Sequence, residues 1–510
     1  MRSFLFGLFL FGYTYTWAQP APAVKRNFFS DSLDRYISTA MAEWKIPGLS
    51  VAIVQNGAVR WVKGYGVLET GGTAKVDPDT RFGIGSNTKA FTATALAMLE
   101  ADGKLSLNDS VVKWVSDFRQ YDPWVTQHAT VRDLLCHRLG FLTFQGDFMY
   151  FDSDLTYAEV KERFGRLKPL FGFRARWGYT NAAFGVAGEV VEKASGLSWG
   201  RFLQERIFQP LDMRNTLPYS AGLDTARNMA KAHTVVEGVL KKIPYGRIDN
   251  IAAAGSISSS VRDMSNWALT QLQNGQWKGK EVIPERAISG TRVPQSILGN
   301  GGSEFNRSHF ALYGLGWFLR EYESRLVVEH TGGVNGFVSS FRLLPEEKAA
   351  VVVLTNTDAN GFYEALCNEI TDALLSLPYR NYSKQALDNY REQTAEDSRL
   401  LKARRDTVAM KIPPSLPLAA FAGTYRHSLY GTMSLRLEKD KLVASFEHHK
   451  GRYAILEPLG GDRFLAVFND PLYGNRVWPF TIRNQQVQSV NVNVNGFVEY
   501  TSYDFEKINP

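Results

Sequence analysis

The sequence predicts an α/β (α+β) domain with an inserted helical block, followed by a small antiparallel β-barrel. A helix and two strands are predicted within residues 29–65, and strands with a closing helix return within residues 325–375. Residues 103–300 between them have a mainly helical pattern, and residues 421–505 change to short alternating strands. Because each sheet or helix must bury its apolar face against another element, we expect the two ends of the first domain to pack together.

The first predicted elements are a helix and a β-hairpin. Apolar side chains recur at helical spacing over Phe29–Trp44. Leu49–Gln55 and Ala58–Tyr65 have strand character and flank Asn56-Gly57, a pair that favours a tight hairpin turn. Ala90–Glu100 is rich in Ala and Leu and free of Gly and Pro, which predicts a strong helix.

The clearest later elements lie in the helical block and in the strands that follow it. Helices are predicted at Val131–His137 and Ala182–Ala194, and strand character returns after about residue 300. A turn at residues 345–348 is expected to separate two of these strands. The later strands and the closing helix are Arg325–Thr331, Gly336–Leu344, Ala349–Thr355 and Phe362–Leu375.

A charged segment at residues 379–415 separates the first domain, predicted at residues 29–378, from a second domain. Its polar and charged composition favours a helical linker, and Pro413-Pro414 marks its end. Residues 416–510 then alternate short strands with Gly, Asn and Asp turns, which predicts a small antiparallel barrel. Examples of these strands are Thr432–Leu437, Lys441–Phe446 and Val487–Val494.

The composition is that of a globular protein and does not indicate a charged partner. The 510 residues are 44% hydrophobic and 21% charged, which provides enough apolar content for large cores. The net charge of +7 would suit an anionic surface, but a basic protein without a charged partner is the simpler interpretation. We find no nucleic-acid-binding motif, so nucleic acid is not expected as a partner.

The cysteines and histidines do not form a disulfide or metal framework. Cys136 and Cys367 each lie in an apolar helical stretch, which favours buried free thiols, although export would permit one bridge. The histidines are scattered, and the adjacent pair His448-His449 lacks further ligands at a suitable spacing. We therefore expect neither a metal site nor a cofactor.

Residues 1–18 have the pattern of a secretory signal peptide. Arg2 precedes a short apolar run at Phe4–Gly12, and Thr16-Trp17-Ala18 ends in a small residue, so cleavage is expected before Gln19. The run is too short to span a bilayer, and no cysteine lies near the cleavage point to carry a lipid. The protein is therefore expected to be exported, periplasmic or secreted, without stable membrane insertion.

The stretch Ser86-Asn87-Thr88-Lys89 leads into the strong helix at Ala90–Glu100. Ser86 is a good cap residue near the free N–H groups of a helix start, and Lys89 follows one turn later on the same face. A lysine whose pKa is lowered by burial can remove the proton of a serine and make it a nucleophile. A capped helix with a solvated lysine would show the same four residues, so the assignment depends on partners elsewhere in the chain.

Two later stretches supply candidate partners. In Tyr179-Thr180-Asn181 the phenol can pass a proton and the amide can hydrogen-bond a substrate amide. Glu329–Gly333 ends a predicted strand, where backbone N–H groups and polar side chains can face a cleft. Taken alone, each stretch is also explained as a polar turn before a helix or as a strand that ends in glycines.

Together the three motifs resemble those of the serine β-lactamase and penicillin-binding protein superfamily, and in particular the class C β-lactamase-like serine hydrolases. The resemblance covers about residues 29–378. It implies a serine β-lactamase/DD-peptidase-like fold, in which helices flank an antiparallel sheet and a mainly helical domain is inserted. Three other stretches are also typical of the family: Ile46–Ala52, Leu134–Gly140 and Tyr313–Trp317.

Carried over to this sequence, the resemblance makes Ser86 the acylated nucleophile. Lys89 and Tyr179 would share the role of general base, and the sequence leaves open which of them holds the proton. The backbone N–H groups of Ser86 and Gly333 would form the oxyanion hole.

The resemblance also implies residues that bind the substrate. Asn181 would hold the substrate amide, and Thr331 would line the same strand as His330. His330 would replace the lysine that is usual in true class C β-lactamases. His-Thr-Gly resembles instead the DD-peptidase, D-aminopeptidase and esterase members, which argues against efficient β-lactam hydrolysis.

A second serine motif is explained by local structure. Gly196-Leu197-Ser198-Trp199-Gly200 matches the nucleophile elbow of α/β-hydrolases, but that elbow needs a strand before the serine. A helix is predicted there instead, at Ala182–Ala194. We therefore expect Gly196 to end this helix and Ser198 to cap the next one.

The C-terminal domain, residues 416–510, resembles the lipocalin-like barrel that follows the hydrolase domain in some family members. Phe421–Tyr425, Leu442 and Arg463-Phe464 carry this looser resemblance. Such a barrel could wall the catalytic cleft, mediate assembly or bind a small apolar ligand. A packed appendage is the simplest interpretation.

The resemblance implies an exported serine hydrolase that cleaves amide or peptide bonds, including those of D-amino acids, through an acyl-enzyme on Ser86. Its partner would be a small peptide, amide or ester substrate. An esterase or weak β-lactamase is one alternative, and a β-lactam or muropeptide sensor that acylates without turnover is another. The sequence does not determine the oligomeric state.

Overall fold

The computed structural model describes residues 28–299, 302 and 308–508, so the predicted signal peptide at residues 1–18 lies outside the described residues. An eight-stranded antiparallel sheet forms the centre of the N-terminal domain. Strand Gly48–Gln55 pairs with Ala349–Thr355, which confirms that the two ends of this domain pack together. In spatial order the strands are Ala58–Gly66, Gly48–Gln55, Ala349–Thr355, Phe337–Leu344, Arg325–Val334, Phe318–Tyr322, Ala311–Tyr313 and Ser296–Gly299.

Both faces of the central strands are covered by other elements. Every residue of Ala349–Thr355 is buried, which is typical of a strand with layers on both sides. Val351 packs with helices Leu33–Trp44 and Phe362–Leu374 on one face, whereas Val352 on the other face joins the core of the helical block. A short helical turn, Phe28–Asp31, precedes the first of these helices.

The inserted block at residues 103–300 is mainly helical, as predicted, and helix Thr88–Ala101, which precedes it, is buried along almost its whole length. Strand Arg81–Gly83, before this helix, pairs with strand Ser258–Ser260 of the block. Two short hairpins that the sequence pattern did not predict are His233–Val236 with Val239–Lys242 and Gln276–Trp277 with Lys280–Glu281. The remaining α, 3-10 and π helices are Gly85–Asn87, Val111–Trp114, Pro123–His128, Val131–Leu135, Asp147–Met149, Tyr157–Arg166, Asn181–Ser195, Trp199–Leu203, Gln204–Phe208, Leu223–Thr225, Asp249–Ile251, Ala252–Gly255, Val261–Leu272 and Glu285–Thr291.

A long helix and a closed barrel complete the chain. Helix Tyr382–Ala409 occupies most of the charged segment, and the short helix Leu418–Phe421 leads into the barrel. The barrel has eight antiparallel strands, each paired with the next, and the last pairs with the first. Its strands, with one 3-10 turn, are Gly423–His427, Gly431–Glu438, Lys441–Phe446, Tyr453–Gly460, Arg463–Phe468, Pro471–Tyr473 (the turn), Asn475–Arg483, Gln486–Val492 and Tyr503–Ile508.

The interior of the barrel is filled by its own side chains. Trp478 is fully buried, and the ring of Phe446 packs edge-on against it. Phe421 packs against both Phe464 and Phe480, with ring centroids 5.0 and 5.1 Å apart. Packing of this kind gives the barrel a core, and it does not support the idea that the barrel carries a small apolar ligand.

The barrel also packs directly on the N-terminal domain. Phe148 of the helical block inserts one ring among aromatic side chains at the end of the barrel. An ion pair joins Arg452 of the barrel to Asp152, with Nη2 and Oδ2 3.1 Å apart. The barrel rings that surround Phe148 are Tyr430, Phe446, His449 and Tyr473.

The structure confirms the prediction that the two cysteines are buried and form no disulfide. Cys136 and Cys367 are buried free thiols. Burial raises the pKa of the Cys136 thiol to about 12, so this side chain is an uncharged core residue near neutral pH. Within the described ranges, no helix has the length and apolar character needed to cross a membrane.

Candidate active site

Ser86 lies in a tight turn that precedes the buried helix. Gly85–Asn87 forms one 3-10 turn, and helix Thr88–Ala101 follows with Asn87 at the cap position. The expectation that Ser86 caps this helix is wrong, because the cap position is one residue later and no side chain makes a capping hydrogen bond. The Ser86 hydroxyl oxygen lies 3.0 Å from Nζ of Lys89 instead.

The turn that carries Ser86 is held against a strand by two glycines. A Cβ atom at Gly332 would lie 1.9 Å from the carbonyl oxygen of Ile84, so no larger residue fits there. A Cβ atom at Gly85 would lie 2.6 Å from the nitrogen of Gly333, and the φ of Gly85 is +51°. The close approach of these backbones places Ser86 beside Gly333.

Lys89 is fully buried among hydrogen-bond acceptors. Its Nζ lies 3.0 Å from Ser86 Oγ, 2.7 Å from Asn181 Oδ1 and 2.7 Å from the Ala254 carbonyl oxygen. Burial lowers the pKa of Lys89 well below its usual value, and the carboxylate of Asp147 partly opposes this shift. A lysine that loses its proton readily is able to take the proton of the neighbouring serine.

Tyr179 brings an unsatisfied phenol to the same place. Its side chain is only 5% exposed, and its ring centroid lies 4.6 Å from Lys89 Nζ. Burial raises the pKa of Tyr179 above its usual value, although the nearby Ser86 hydroxyl acts in the opposite direction. The phenol forms no hydrogen bond of standard geometry with any described residue. A protonated phenol with a free hydroxyl is suited to donate a proton to a bound substrate.

Asn181, the first residue of helix Asn181–Ser195, is held between two ionisable side chains. Its Oδ1 accepts from Lys89 at 2.7 Å, and its Nδ2 donates to Asp147 Oδ2 at 2.6 Å. The contact with Asp147 was not predicted from the sequence. The predicted contact between Asn181 and a substrate amide remains a prediction.

His330 lies within a chain of hydrogen bonds and is 1% exposed. The Thr180 backbone N–H donates to His137 Nδ1 at 3.0 Å, so the proton of His137 lies on Nε2, which donates to the Tyr313 hydroxyl at 3.2 Å. The Tyr313 hydroxyl in turn donates to His330 Nε2 at 3.1 Å. His330 Nδ1 donates to the carbonyl oxygen of Thr331 at 2.6 Å.

This chain of hydrogen bonds and the burial of His330 determine the charge and position of its ring. Burial lowers the pKa of His330 to about 3, so its ring is neutral and carries no positive charge near pH 7. Both ring nitrogens bond to the protein, and the ring lies 6.1 Å from that of Tyr179. The predicted contact of His330 with substrate remains a prediction, and these hydrogen bonds hold its ring beside Tyr179.

Gly333 directs its backbone toward the turn that contains Ser86. Val334 and Phe337 face each other across a two-residue turn, which makes them a hydrogen-bonded pair. By the alternation of an antiparallel ladder, the N–H of Gly333 points away from that partner strand. The strand on its other side pairs only as far as Glu329, so this edge is open at Gly333. The placement fits the predicted oxyanion hole.

The structure therefore brings together most of the predicted site. Ser86, Lys89, Tyr179 and Asn181 surround one point, Gly333 lies beside it, and Thr331 is half-buried on the same strand. Asp147 was missed because its loop carries no recognisable motif. Its position depends on contacts with distant parts of the chain.

Ser198 has the structural role that was predicted for it. Helix Asn181–Ser195 precedes it, and Gly196 ends that helix with φ of +75°. The Ser198 side chain accepts from the Arg201 backbone N–H and caps helix Trp199–Leu203. This serine follows a helix and not a strand, so it is not a nucleophile elbow.

Both parts of the chain are similar to known proteins or families. A family profile described as "Domain of unknown function (DUF3471)" matches residues 409–509. The unguisins hydrolase ungD' of Aspergillus campestris is 27% identical over 434 residues, which cover 79% of this chain and 77% of the relative. A D-stereospecific amidohydrolase from Streptomyces sp. has 25% identity and a TM-score of 0.52, over 64% of this chain and 94% of the other.

The fold is also similar to that of a second solved structure. A second family profile identifies the N-terminal domain. The octameric penicillin-binding protein homologue from Pyrococcus abyssi has a TM-score of 0.60 and 21% identity, over 91% of this chain and 98% of the other. The profile described as "Beta-lactamase" matches residues 33–375, which is more than half of the chain. The chain therefore belongs to the β-lactamase family and is a serine hydrolase of that fold.

Proposed function

We propose that this serine hydrolase cleaves amide bonds of small peptides through an acyl-enzyme on Ser86. The observation that carries the proposal is the contact of Ser86 Oγ with Lys89 Nζ at 3.0 Å, made by a lysine whose pKa is lowered by burial. A base of lowered pKa in direct contact with a hydroxyl is the arrangement that nucleophilic catalysis by serine requires.

Acylation begins with neutral Lys89. As Ser86 Oγ forms a bond to the carbonyl carbon of the substrate, its proton passes to Lys89 Nζ. The electron pair of the C=O bond moves onto the oxygen, where the backbone N–H groups of Ser86 and Gly333 stabilise the negative charge. Asn181 holds the substrate amide, and Thr331 lines the strand beside it.

Breakdown of the tetrahedral intermediate needs a proton for the leaving nitrogen. The Tyr179 hydroxyl donates that proton as the C–N bond breaks, and Tyr179 recovers a proton from Lys89. Water then attacks the Ser86 ester by the same route in reverse, which releases the acid product and restores the serine.

The relatives favour amide substrates, including those of D-amino acids, and the surface around the site suits apolar side chains. One relative is named as an unguisins hydrolase and another as a D-stereospecific amidohydrolase. Two partly exposed rings of the barrel lie near the site. Phe497 would contact a side chain added at Gly333, and Tyr500 stacks on Phe144. These rings suit apolar side chains on either side of a scissile amide.

Two alternatives make different predictions. An esterase would hydrolyse activated esters without need of Tyr179, because an alkoxide or phenoxide leaves without protonation more easily than an amine. A β-lactam or muropeptide sensor would form a lasting acyl-enzyme. Neutral His330 offers no cation to pair with the carboxylate of a β-lactam, which supports a peptide amide as the substrate over a penicillin.

The amide assignment is tested by comparing amide and ester substrates in one set of variants. We expect Ser86→Ala to abolish hydrolysis of D-alanyl p-nitroanilide, L-alanyl p-nitroanilide and p-nitrophenyl acetate. Tyr179→Phe should lower amide hydrolysis by about 10²-fold or more while lowering ester hydrolysis much less. An equal loss on both substrate types would contradict proton donation by Tyr179. Full activity in Ser86→Ala would contradict the proposed nucleophile.

We also propose that the protein is exported, on the basis of the signal-peptide pattern at residues 1–18. Cleavage before Gln19 would release a protein that acts on peptides outside the cytoplasm. The amino-terminal sequence of protein recovered from its native cells tests this directly. A mature chain that begins at Gln19 is expected, and a chain that retains residues 1–18 would contradict export by this route.

A further inference from the structure

We propose that Asp147 is a positioning residue of the active site and that the C-terminal barrel holds it in place through Glu499. The inference rests on the proposed function, because it concerns the same Ser86 and Lys89. It gives the barrel a definite part in catalysis, as a support for the side chains that surround the base.

Asp147 is linked to the base, Lys89, by hydrogen bonds through the side chain of Asn181. Its Oδ2 accepts from Asn181 Nδ2 at 2.6 Å, and Asn181 Oδ1 accepts from Lys89 Nζ at 2.7 Å. Tyr150 donates to the other oxygen of Asp147. All these side chains except Asn181 are almost completely buried, so water competes little for these contacts.

The carboxylate determines which end of the Asn181 amide faces the base. When Asp147 is ionised, as it is above its pKa of about 7, its carboxylate only accepts hydrogen bonds, so it selects the NH₂ group of Asn181, and the amide oxygen must then face Lys89. With the amide reversed, an NH₂ group would face the Lys89 nitrogen and would leave a lysine proton without an acceptor. Asp147 thus acts on Lys89 through Asn181.

Glu499 of the barrel holds the backbone on both sides of Asp147. Its Oε1 accepts from the Gly146 backbone N–H at 2.7 Å, and its Oε2 accepts from the Phe148 backbone N–H at 2.9 Å. Glu499 is 1% exposed and is itself bonded within the barrel. The hydroxyls that donate to it there are those of Tyr430, Thr501 and Tyr503.

A second contact with the barrel fixes the same turn. The ring of Phe148 stacks on His449, with centroids 4.5 Å apart, and on Tyr430, with centroids 5.5 Å apart. His449 Nε2 also bonds to the carbonyl oxygen of Phe148 at 2.9 Å. The residue after Asp147 is therefore held by backbone and side chain together, which leaves Asp147 little freedom to turn away from Asn181.

The charges around this group agree with such a role. Burial raises the pKa of Asp147 to about 7, and the Glu499 carboxylate adds to this rise while Lys89 opposes it. In turn, ionised Asp147 raises the pKa of Lys89. The other titratable groups that face Lys89 are Tyr179 and the neutral rings of His137 and His330.

The test uses full-length variants and measures the rate at which a fluorophosphonate labels Ser86, as a function of pH. We expect Asp147→Asn to lower the limiting rate about tenfold, because the amide of Asn181 loses its charged acceptor. In the plot of labelling rate against pH, the part that rises from low pH should also shift to lower pH in Asp147→Asn. Removal of the negative charge lowers the pKa of Lys89. This rising part is called the acid limb. A residue with only a structural role would not shift this limb.

The barrel contact is tested with a matched pair of variants. Glu499→Gln should lower the limiting rate at least about threefold through weaker support of the turn. Asp154→Asn is the control, because Asp154 also joins the two domains, by contacts with His448 and Lys450, but does not reach Asp147. It should stay within about twofold of wild type.

Each outcome distinguishes this inference from the proposed function. If wild type is not labelled at Ser86, the proposed function fails. If wild type is labelled and Asp147→Asn keeps both the rate and the pH midpoint, the role of Asp147 is overturned. If Glu499→Gln equals Asp154→Asn, the role of the barrel is overturned. Should Glu499→Gln melt below the assay temperature, Glu499→Asp is measured under the same expectation.

Discussion

Burial gives Lys89 an acid–base character unlike that of a lysine at the surface. Its side chain has no contact with solvent, so the charged form loses hydration that its neighbours only partly replace. The hydrogen bonds to Ser86, Asn181 and Ala254 nevertheless keep Nζ at one place. The residue is thus both weakly basic for a lysine and well positioned.

The pH dependence of Ser86 labelling should follow this lysine. Because the neutral form is the base, the rate should rise with pH along a limb whose midpoint lies well below 10.5. Burial lowers the pKa of His330 to about 3, so that ring is already neutral across the limb. Lys89→Ala should lower the rate by about 10²–10⁴-fold and remove the limb. A limb that persists unchanged in Lys89→Ala would assign the base to another group.

At the scale of elements, the site depends on how closely a helix start approaches a strand. Ile84 and Gly85 precede Ser86, and Gly332 and Gly333 lie on the strand that faces them. Ser339 of the neighbouring strand donates to the carbonyl oxygen of Ile84 at 2.9 Å, which fixes the distance between the two elements. Gly85 and Gly332 are required at this contact because the two backbones lie too close together to leave room for a Cβ atom.

Two neighbouring glycines of the strand should therefore respond differently to the same substitution. In Gly332→Ala the added Cβ would meet the Ile84 carbonyl oxygen at 1.9 Å, so we expect a loss of at least about 1–3 kcal/mol in the free energy of unfolding. In Gly333→Ala the nearest atom is in the Phe497 ring at 3.4 Å, so stability should change little. Urea unfolding of the two variants measures the difference, and equal losses would contradict the close approach.

At the scale of the whole molecule, side chains of the N-terminal domain pack directly against side chains of the barrel. Phe148 of the first domain is 3% exposed and lies among four aromatic rings of the second. Burial of one such ring contributes several kcal/mol, and a domain contact of this kind makes two domains unfold together. We therefore expect the two domains to unfold as one unit.

Calorimetric unfolding tests this coupling. Wild type should show one transition. Phe148→Ala should lose about 3–5 kcal/mol and separate the barrel from the first domain as two transitions. Phe310→Ala is a matched control, because Phe310 is 63% exposed and should change stability by at most about 0.5 kcal/mol. Two transitions in wild type would contradict the coupling.

The parts of the fold and site that could be predicted are those with local or motif-based signals. Asn56-Gly57 identified the first hairpin, and Ala and Leu content identified the helix after Ser86. Lys89 was placed by the helical repeat, because a side chain three residues later returns to the same face. In each case the pattern of neighbouring residues determines the geometry.

The contacts that could not be predicted join residues far apart in the chain. Gly146 and Glu499 are 353 positions apart, and no motif surrounds either one. Neutral His330 was missed for a similar reason, because its state depends on burial and on Tyr313 and not on its neighbours in the sequence. Sequence alone also placed Ser86 at the helix cap, whereas a 3-10 turn moves the cap to Asn87.

The central claim is that Ser86 is the nucleophile, and intact mass after treatment with a fluorophosphonate tests it most directly. Wild type should gain one adduct, located after trypsin digestion on the peptide of residues 82–89, and Ser86→Ala should gain none. An adduct on the peptide of residues 194–201, which contains Ser198, would contradict the account. So would an adduct that forms equally in Ser86→Ala, or wild type that gains none.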